Sequence, residues 1–208
     1  GHPASTVMRM GEKCYLSLDV TPLCPNSDEL PEQLIVIVRD SSLEYVQRQK
    51  LDAIYRAGYE LGDLQPDEVT DLSEEDRIEL LKSKILHYTQ DILGYDSIEI
   101  RLLERESGRL KTLLAVGFEQ AAIERELFAL PENNGVTGFV AATGRSYLCL
   151  DTQSDPKYIT GIAGGRSSIT VPLVLRNEIL GTFNVESPRP GAFGDNDLQF
   201  LELFCREV

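Results

Sequence analysis

The stretch GRSSITVPLVLRNEILGTFNVES, residues 165–187, has the clearest structural pattern in the chain. Two runs flank the polar turn at Arg176, Asn177 and Glu178, and alternate residues in each run are mainly apolar: Ile169, Val171, Leu173 and Leu175, then Ile179, Gly181, Phe183 and Val185. A period of two is typical of β-strands, so the stretch predicts an antiparallel hairpin with one apolar face. Pro172 lies inside the first run. Because proline cannot donate a ladder hydrogen bond, we expect a bulge or a lapse of pairing there.

Residues 73–208 show further helix and strand patterns around this hairpin. Ser73 begins a variant capping box, and apolar residues spaced by three and four follow it as far as Gly94, which predicts a helix. Other patterns predict strands over 97–104, 109–116 and 147–150, short helices over 120–128 and 136–143, and a final helix over 195–208. This order predicts an α+β fold, in which helices cover both faces of an antiparallel sheet.

Two strand candidates and a long helix precede that region. Residues 14–20 alternate between apolar and polar positions, and residues 34–38 form an aliphatic run rich in β-branched side chains. Asp40, Ser41 or Ser42 can cap a helix that extends from about Leu43 to Leu61. The heptad signal in this helix is weak, so the sequence does not predict an extended coiled coil.

The composition restricts the classes of function. The chain has 34 acidic and 20 basic residues and a net charge of −14. Such a charge repels phosphate backbones and anionic membranes, so we expect neither nucleic acid nor a membrane as a partner. The four cysteines lack the spacing of a metal site or a disulfide framework: Cys14, Cys24, Cys149 and Cys205. With no secretory pattern in the chain, they predict reduced thiols and a cytoplasmic location.

Three segments in order resemble GAF domains. Residues 135–158, GVTGFVAATGRSYLCLDTQSDPKY, are similar to the family's central signature, whose matching positions here are Gly135, Gly138, Gly144, Asp151, Asp155, Pro156 and Tyr158. Residues 169–187 resemble the family's last hairpin, and residues 192–204, AFGDNDLQFLELF, resemble the start of its closing helix. The resemblance extends over about residues 51–208. It implies an antiparallel sheet of five to six strands, with helices on both faces and a small-molecule pocket on one face.

The first forty residues resemble the end of a PAS domain. Residues 13–22 and 32–49, KCYLSLDVTP and EQLIVIVRDSSLEYVQRQ, are similar to that family's last two strands and to its junction with a linker helix. The resemblance predicts the carboxyl-terminal strands of a truncated PAS domain over 1–42, a linker or signalling helix over 43–62 and a GAF domain over 63–208. This arrangement is similar to the input half of bacterial sensor histidine kinases in two-component systems.

The glycine-rich loop YITGIAGGRSS, residues 158–168, is the candidate pocket region. Its backbone N–H groups and one cation suit an anionic or polar ligand. The GAF resemblance implies these lining residues: Phe139, Tyr158, Ile159, Arg166, Ser168, Thr170 and Phe183. Alternatively, the glycines only let a surface loop turn, and Arg166 pairs with an acid. The sequence names no cofactor, since the patterns of the cyclic-nucleotide and bilin-binding GAF domains are incomplete or missing.

These observations predict a sensory or regulatory module without catalysis of its own. The module would bind a small molecule or relay a signal to a downstream output domain. Two alternatives stay open: a thiol enzyme similar to the free methionine sulfoxide reductases, with Cys149 as its candidate thiol, and a ligand-free dimerisation and relay module. Signal relay through a helix is best defined by two-fold pairing, so we also expect a homodimer, formed through the amino-terminal strands and the linker helix.

Overall fold

The structure, a computed structural model, describes residues 4–11, 14–23, 33–62 and 73–207, and Cys24 lies outside these ranges. The chain forms two compact units, residues 1–52 and 53–208. The predicted limits of the PAS segment, the linker helix and the GAF domain stay a prediction. Among the described residues, no helix is both long enough and apolar enough to cross a bilayer.

The amino-terminal unit contains a three-stranded antiparallel sheet. Its strands are β1 (Ala4–Arg9), β2 (Tyr15–Leu23) and β3 (Gln33–Asp40), in that order in space. The sequence analysis predicted only β2 and β3, because the residues of β1 show no clear apolar face. β1 nonetheless pairs with β2 along its whole length, so the sheet has a third strand beside the two that were predicted.

Helix α1 (Ser42–Gly62) begins and ends within a residue of the helix that the sequence predicted over Leu43 to Leu61, and its role as a linker stays a prediction. Asp40 lies just before the helix, and its Oδ1 atom accepts hydrogen bonds from the Ser42 N–H at 2.9 Å and the Ser42 hydroxyl at 2.6 Å. Both bonds hold the pKa of the Asp40 carboxyl below its ordinary value. The ring of Tyr45 stacks on Tyr15 of β2, with centroids 3.9 Å apart, and this contact joins the first turns of the helix to the sheet.

The carboxyl-terminal unit is built on a six-stranded antiparallel sheet with the order β6-β5-β4-β9-β8-β7. The strands are β4 (Ser97–Leu103), β5 (Arg109–Val116), β6 (Leu127–Phe128), β7 (Tyr147–Cys149), β8 (Ser167–Leu175) and β9 (Glu178–Ser187). The helices are α2 (Glu74–Leu86), α3 (Gln120–Ile123), α4 (Gly135–Thr143) and α5 (Asp195–Glu207). The predicted α+β antiparallel fold is thereby confirmed.

One face of this sheet supports the main apolar core. Six side chains from the central strands are at most 2% exposed: Ile98, Ile100, Ile169, Val171, Phe183 and Val185. They pack against Ile85 of α2 and against Leu201 and Phe204 of α5. Burial stabilises the fold by roughly 1.5–3 kcal/mol for each large side chain, so this face holds the two helices on the sheet.

The predicted hairpin is confirmed as β8 and β9. Arg176 and Asn177 form its turn with φ angles of 51° and 65°, as a two-residue type I′ turn requires. The expected irregularity lies one residue beyond Pro172, between Leu173 and Val174, where the register shifts. Pro172 itself stands opposite Thr182, and β7 covers β8 only as far as Thr170.

Two predicted helices end earlier than expected. The helix predicted over 120–128 is a helix only over Gln120–Ile123, because Leu127 and Phe128 form β6 and pair with Leu110 and Arg109. The helix predicted up to Gly94 changes after Leu86 into a π-helical segment, His87–Ile92. Its cap at Ser73 is as predicted, since the Ser73 Oγ accepts the Asp76 N–H at 3.1 Å.

Candidate functional site

The face of the sheet opposite the apolar core is polar and buried. The alternation that directs Ile98, Ile100, Phe183 and Val185 into the core directs their neighbours to this second face. The buried polar residues there include Glu99 and Arg101 of β4, Ser168 and Thr170 of β8, and Asn184 and Glu186 of β9. Strand pairing places Glu99, Asn184 and Thr170 in one row across the sheet.

Glu186 is the central charged group of this face. It is 5% exposed, and its carboxylate accepts three hydrogen bonds from neutral groups. The Oε2 atom accepts from the Tyr158 hydroxyl at 2.8 Å and from the Ile162 N–H at 3.3 Å, while the Oε1 atom accepts from the Asn184 amide at 3.2 Å. Thr170 in turn donates to the Asn184 Oδ1 at 2.9 Å, which fixes the orientation of that amide.

The pKa of the Glu186 carboxyl is raised to about 6. Burial is the largest cause, and the negative charge of Glu99 also raises the value, whereas the bonds from Tyr158, Asn184 and Ile162 lower it. These neutral donors therefore compensate only in part for the water that the carboxylate has lost. The pKa of the Tyr158 hydroxyl is also raised above its ordinary value. Burial is the larger cause, and the charge of Glu186 is the second.

Arg101 is 2% exposed and pairs with Glu99, which is 4% exposed. The Nε and Nη2 atoms of Arg101 both lie 2.8 Å from the Glu99 Oε1. The guanidinium also donates to four backbone carbonyls, on Leu110, Ala122, Ile123 and Arg125. Arg101 thus holds the 122–125 segment against the sheet. Removal of either Arg101 or Glu99 would leave the other charge buried without compensation.

A small cavity lies between this polar face and the segments that cover it. Its covering residues include Phe118, Ala122, Arg125, Val136, Tyr158 and Ile159. The cavity volume is about 30 Å³, which is room for about two water molecules. Gly161 brings the covering loop close to the sheet, since a Cβ atom there would lie 2.4 Å from the Glu186 Oε1. The loop therefore closes directly over the buried carboxylate.

Four of the seven predicted pocket residues line this cavity: Tyr158, Ile159, Ser168 and Thr170. Arg166 instead lies 3.2 Å from the Asp151 carboxylate, as the alternative interpretation of the loop expected. Phe139 packs edge-on against Tyr147, with ring centroids 5.6 Å apart. Phe183 lies in the apolar core on the other face of the sheet. Ligand binding by any of the seven remains a prediction.

Sequence reasoning missed the charged residues of the site. Glu99, Arg101, Asn184 and Glu186 alternate with apolar residues in strands that the same reasoning placed in the sheet. The alternation assigns these four residues to one face of the sheet, but it carries no signal for the burial of that face. A charged residue on the face opposite a core is most often exposed to solvent, so the buried site becomes visible only in the fold.

Asp155 fastens the loop that follows β7. Its carboxylate accepts from the Tyr147 hydroxyl at 2.9 Å and from the Lys157 N–H at 2.8 Å. Burial and then the Asp155 carboxylate raise the pKa of the Cys149 thiol to about 12. This buried thiol is therefore protonated at neutral pH and is a weak nucleophile. Among the described residues, no group of three or more His, Cys, Asp or Glu side chains is placed to hold a metal ion.

Comparison with known proteins gives one family match and several similar folds. The sequence profile of a family described as "GAF domain" matches residues 77–208. The protein ZMO0507 of Zymomonas mobilis subsp. mobilis is 34% identical over 71 residues, which cover 34% of this chain and 44% of that protein. This chain therefore matches less than half the length of that curated relative.

Several solved structures share the fold. The GAF domain of a phosphoenolpyruvate-protein phosphotransferase from Coxiella burnetii has a TM-score of 0.61 at 13% identity, over 76% of this chain and 89% of that chain. Its counterpart from Acinetobacter has a TM-score of 0.59 at 19% identity, over 76% and 89%. A free methionine-R-sulfoxide reductase from Neisseria meningitidis, solved with its substrate, has a TM-score of 0.59 at 18% identity, over 77% and 86%. At these identities the likeness establishes the fold alone.

Proposed function

This chain belongs to the GAF domain family, and we propose that it is a sensory or regulatory module that binds a small molecule in the cavity above Glu186. The signal would pass to an output domain of a bacterial signal-transduction protein, such as a sensor histidine kinase. The observation on which the proposal rests is a buried carboxylate that faces a cavity and whose described hydrogen-bond donors are all neutral groups.

Such a group is unfavourable for stability alone. A neutral acceptor such as glutamine at position 186 could keep these hydrogen bonds without the cost of a buried charge, and the raised pKa indicates that the folded state disfavours the charged form. Perturbed ionisable groups in cavities are concentrated at functional sites. We therefore interpret Glu186 and its neighbours Asn184 and Thr170 as a binding site with prearranged hydrogen-bonding groups.

A thermal-shift screen of nucleotides, amino acids, amines and organic acids tests the proposal. A ligand at about 100 times its Kd should stabilise the protein by ~2.7 kcal/mol. Thr170→Val removes one hydroxyl group from the cavity at constant shape and should reduce the shift. Thr143→Val removes a hydroxyl group from an exposed helix position and should leave the shift intact. If no compound in the screen stabilises the wild-type protein, the binding proposal is wrong.

The amino-terminal unit supports a second part of the proposal, which is that the module is a homodimer. Five consecutive aliphatic residues of the edge strand β3, Leu34 to Val38, are 44–59% exposed, and Leu43 and Leu51 of α1 are also exposed. An unprotected apolar edge strand is prone to pair with another strand. We interpret this sheet as the end of a PAS domain and its edge as a contact between two copies of the chain.

Light scattering at tens of micromolar tests the dimer. Ile37→Lys should shift the protein towards the monomer, because it places a charge within the exposed run. Gln33→Lys adds the same charge at the polar end of the same strand and should have little effect. A wild-type protein that is already monomeric would contradict this part of the proposal and leave the binding proposal untouched.

A thiol enzyme is the second candidate function. Cys149 pairs with Ser168, which lines the cavity, so a thiol lies on the strand beside the site. The raised pKa of Cys149 argues against a reactive thiolate. Purified protein should not consume methionine sulfoxide in the presence of a thiol reductant. Consumption that Cys149→Ser abolishes would favour the enzyme over the regulatory module.

A further inference from the structure

We propose that the cavity selects a small protonated amine, whose ammonium group binds against the carboxylates of Glu186 and Glu99, and that it rejects anions. This inference rests on the proposed function, because it names the chemical class of ligand for the same cavity.

Arg101 is the buried cation among the described residues of the site, and its donors are all engaged. A guanidinium group has five N–H bonds, and those of Arg101 are directed to five acceptors. Its Nε donates to Glu99, its Nη1 to the carbonyls of Leu110 and Arg125 at 3.3 and 2.9 Å, and its Nη2 to those of Ala122 and Ile123 at 2.7 and 3.3 Å. An anionic ligand would have to displace one of these bonds to reach the buried charge of Arg101.

The carboxylates, by contrast, retain acceptor capacity. The two atoms of Arg101 that contact Glu99 both reach its Oε1, so no described hydrogen bond occupies the Oε2, and Glu99 lines the cavity. The Oε1 of Glu186 accepts one described hydrogen bond, a long one of 3.2 Å from Asn184. A carboxylate offers about four acceptor positions. The cavity floor therefore lacks hydrogen-bond donors rather than acceptors. An ammonium group supplies three N–H donors.

The balance of charge agrees with the count of hydrogen bonds. Arg101 neutralises Glu99, while none of the described partners of Glu186 is a cation. Arg125 also lines the cavity, but it is only half-buried and donates its Nη1 to the Thr160 carbonyl at 2.8 Å. Water screens a charge at that position far more than a charge on the floor. A cation that enters thus meets an uncompensated negative group.

The size of the cavity limits the cationic head. About 30 Å³ accommodates ammonium or a methylammonium group but not a tetramethylammonium group. The structure therefore points to a primary amine.

Methylammonium chloride is the probe, with sodium chloride, sodium acetate and tetramethylammonium chloride at equal ionic strength as references. Binding is measured by the thermal shift and by NMR titration of the Ile162 amide, which donates to Glu186. We expect methylammonium alone to shift both signals. Glu186→Gln should weaken its binding by about tenfold or more, the ratio for the loss of a charge-assisted hydrogen bond. Glu132→Gln, at an exposed position, should leave binding unchanged.

Several outcomes would overturn the inference: binding of acetate instead of methylammonium, equal effects of methylammonium and tetramethylammonium, or methylammonium binding that persists in Glu186→Gln. If methylammonium fails but a neutral or anionic compound binds in a manner sensitive to Thr170→Val, the amine inference fails and the binding function stands. If no compound of any charge binds, both fail.

Discussion

Replacement of Glu186 by glutamine should stabilise the ligand-free protein at pH 8 and change its stability little at pH 4. Burial raises the pKa of this carboxyl to about 6, from an ordinary value of 4.5, so the folded state holds the proton more tightly than the unfolded state does. The stability that this group contributes is therefore present below pH 4.5 and is lost as the pH rises through about 6. The full loss is about 2 kcal/mol, from ~1.4 kcal/mol for each unit of pKa.

Glutamine can satisfy the hydrogen bonds of the site without the charge. Its carbonyl oxygen can accept from Tyr158 and Ile162, as the carboxylate does. Its amide nitrogen then faces Asn184, whose own amide can turn so that its oxygen accepts this bond and its nitrogen donates to Thr170. We therefore expect most of the 2 kcal/mol to be recovered, which corresponds to a rise in Tm of about 4–8 °C for a unit of this size.

Urea unfolding of the wild type, Glu186→Gln and Glu132→Gln at pH 8 and pH 4 measures the effect. The exposed Glu132 controls for the loss of one negative charge from a chain of net charge −14. A Glu186→Gln protein that is no more stable than the wild type at pH 8 would refute the reasoning. So would a gain of the same size at both pH values, because a desolvated charge acts only where it is ionised.

Three further substitutions or treatments test the architecture of the site. Arg101→Met should destabilise the protein by roughly 3–5 kcal/mol in urea unfolding, because it leaves the buried carboxylate partner uncompensated. Gly181→Ala should destabilise the protein by at least ~1–3 kcal/mol, because the new Cβ would lie 2.0 Å from the Arg101 carbonyl oxygen. The control is Gly194→Ala, whose Cβ would meet no atom within 4 Å and which should be nearly neutral. Cys149 should react with iodoacetamide at pH 7.5 far more slowly than the exposed Cys14, as mass spectrometry of the folded protein would show; equal rates would contradict its raised pKa.

Most of the secondary structure followed from the sequence because it depends on neighbours within a few residues. The alternation in 165–187 and the polar residues 176–178 were sufficient to predict the hairpin, although Glu178 pairs with Leu175 and the turn itself has two residues. Ser73 and Gly144 marked helix ends by local chemistry, a side-chain cap at one and a φ of 67° at the other. Where a prediction failed, the competing interaction came from elsewhere in the chain: Leu127 became a strand residue because it pairs with Leu110.

The candidate site, by contrast, was decided by the tertiary structure. A period of two in the sequence indicates that Glu99 and Ile98 point to opposite faces of the sheet. It does not indicate which elements cover each face. Helices α2 and α5 cover the face of Ile98, and the loop at 158–165 closes over the face of Glu99. Glu99 and Glu186 are 87 positions apart in the sequence and share a cavity only because β4 pairs with β9. The sequence by itself thus determined the elements and their alternation, whereas the burial that perturbs Glu186 arises only from long-range packing.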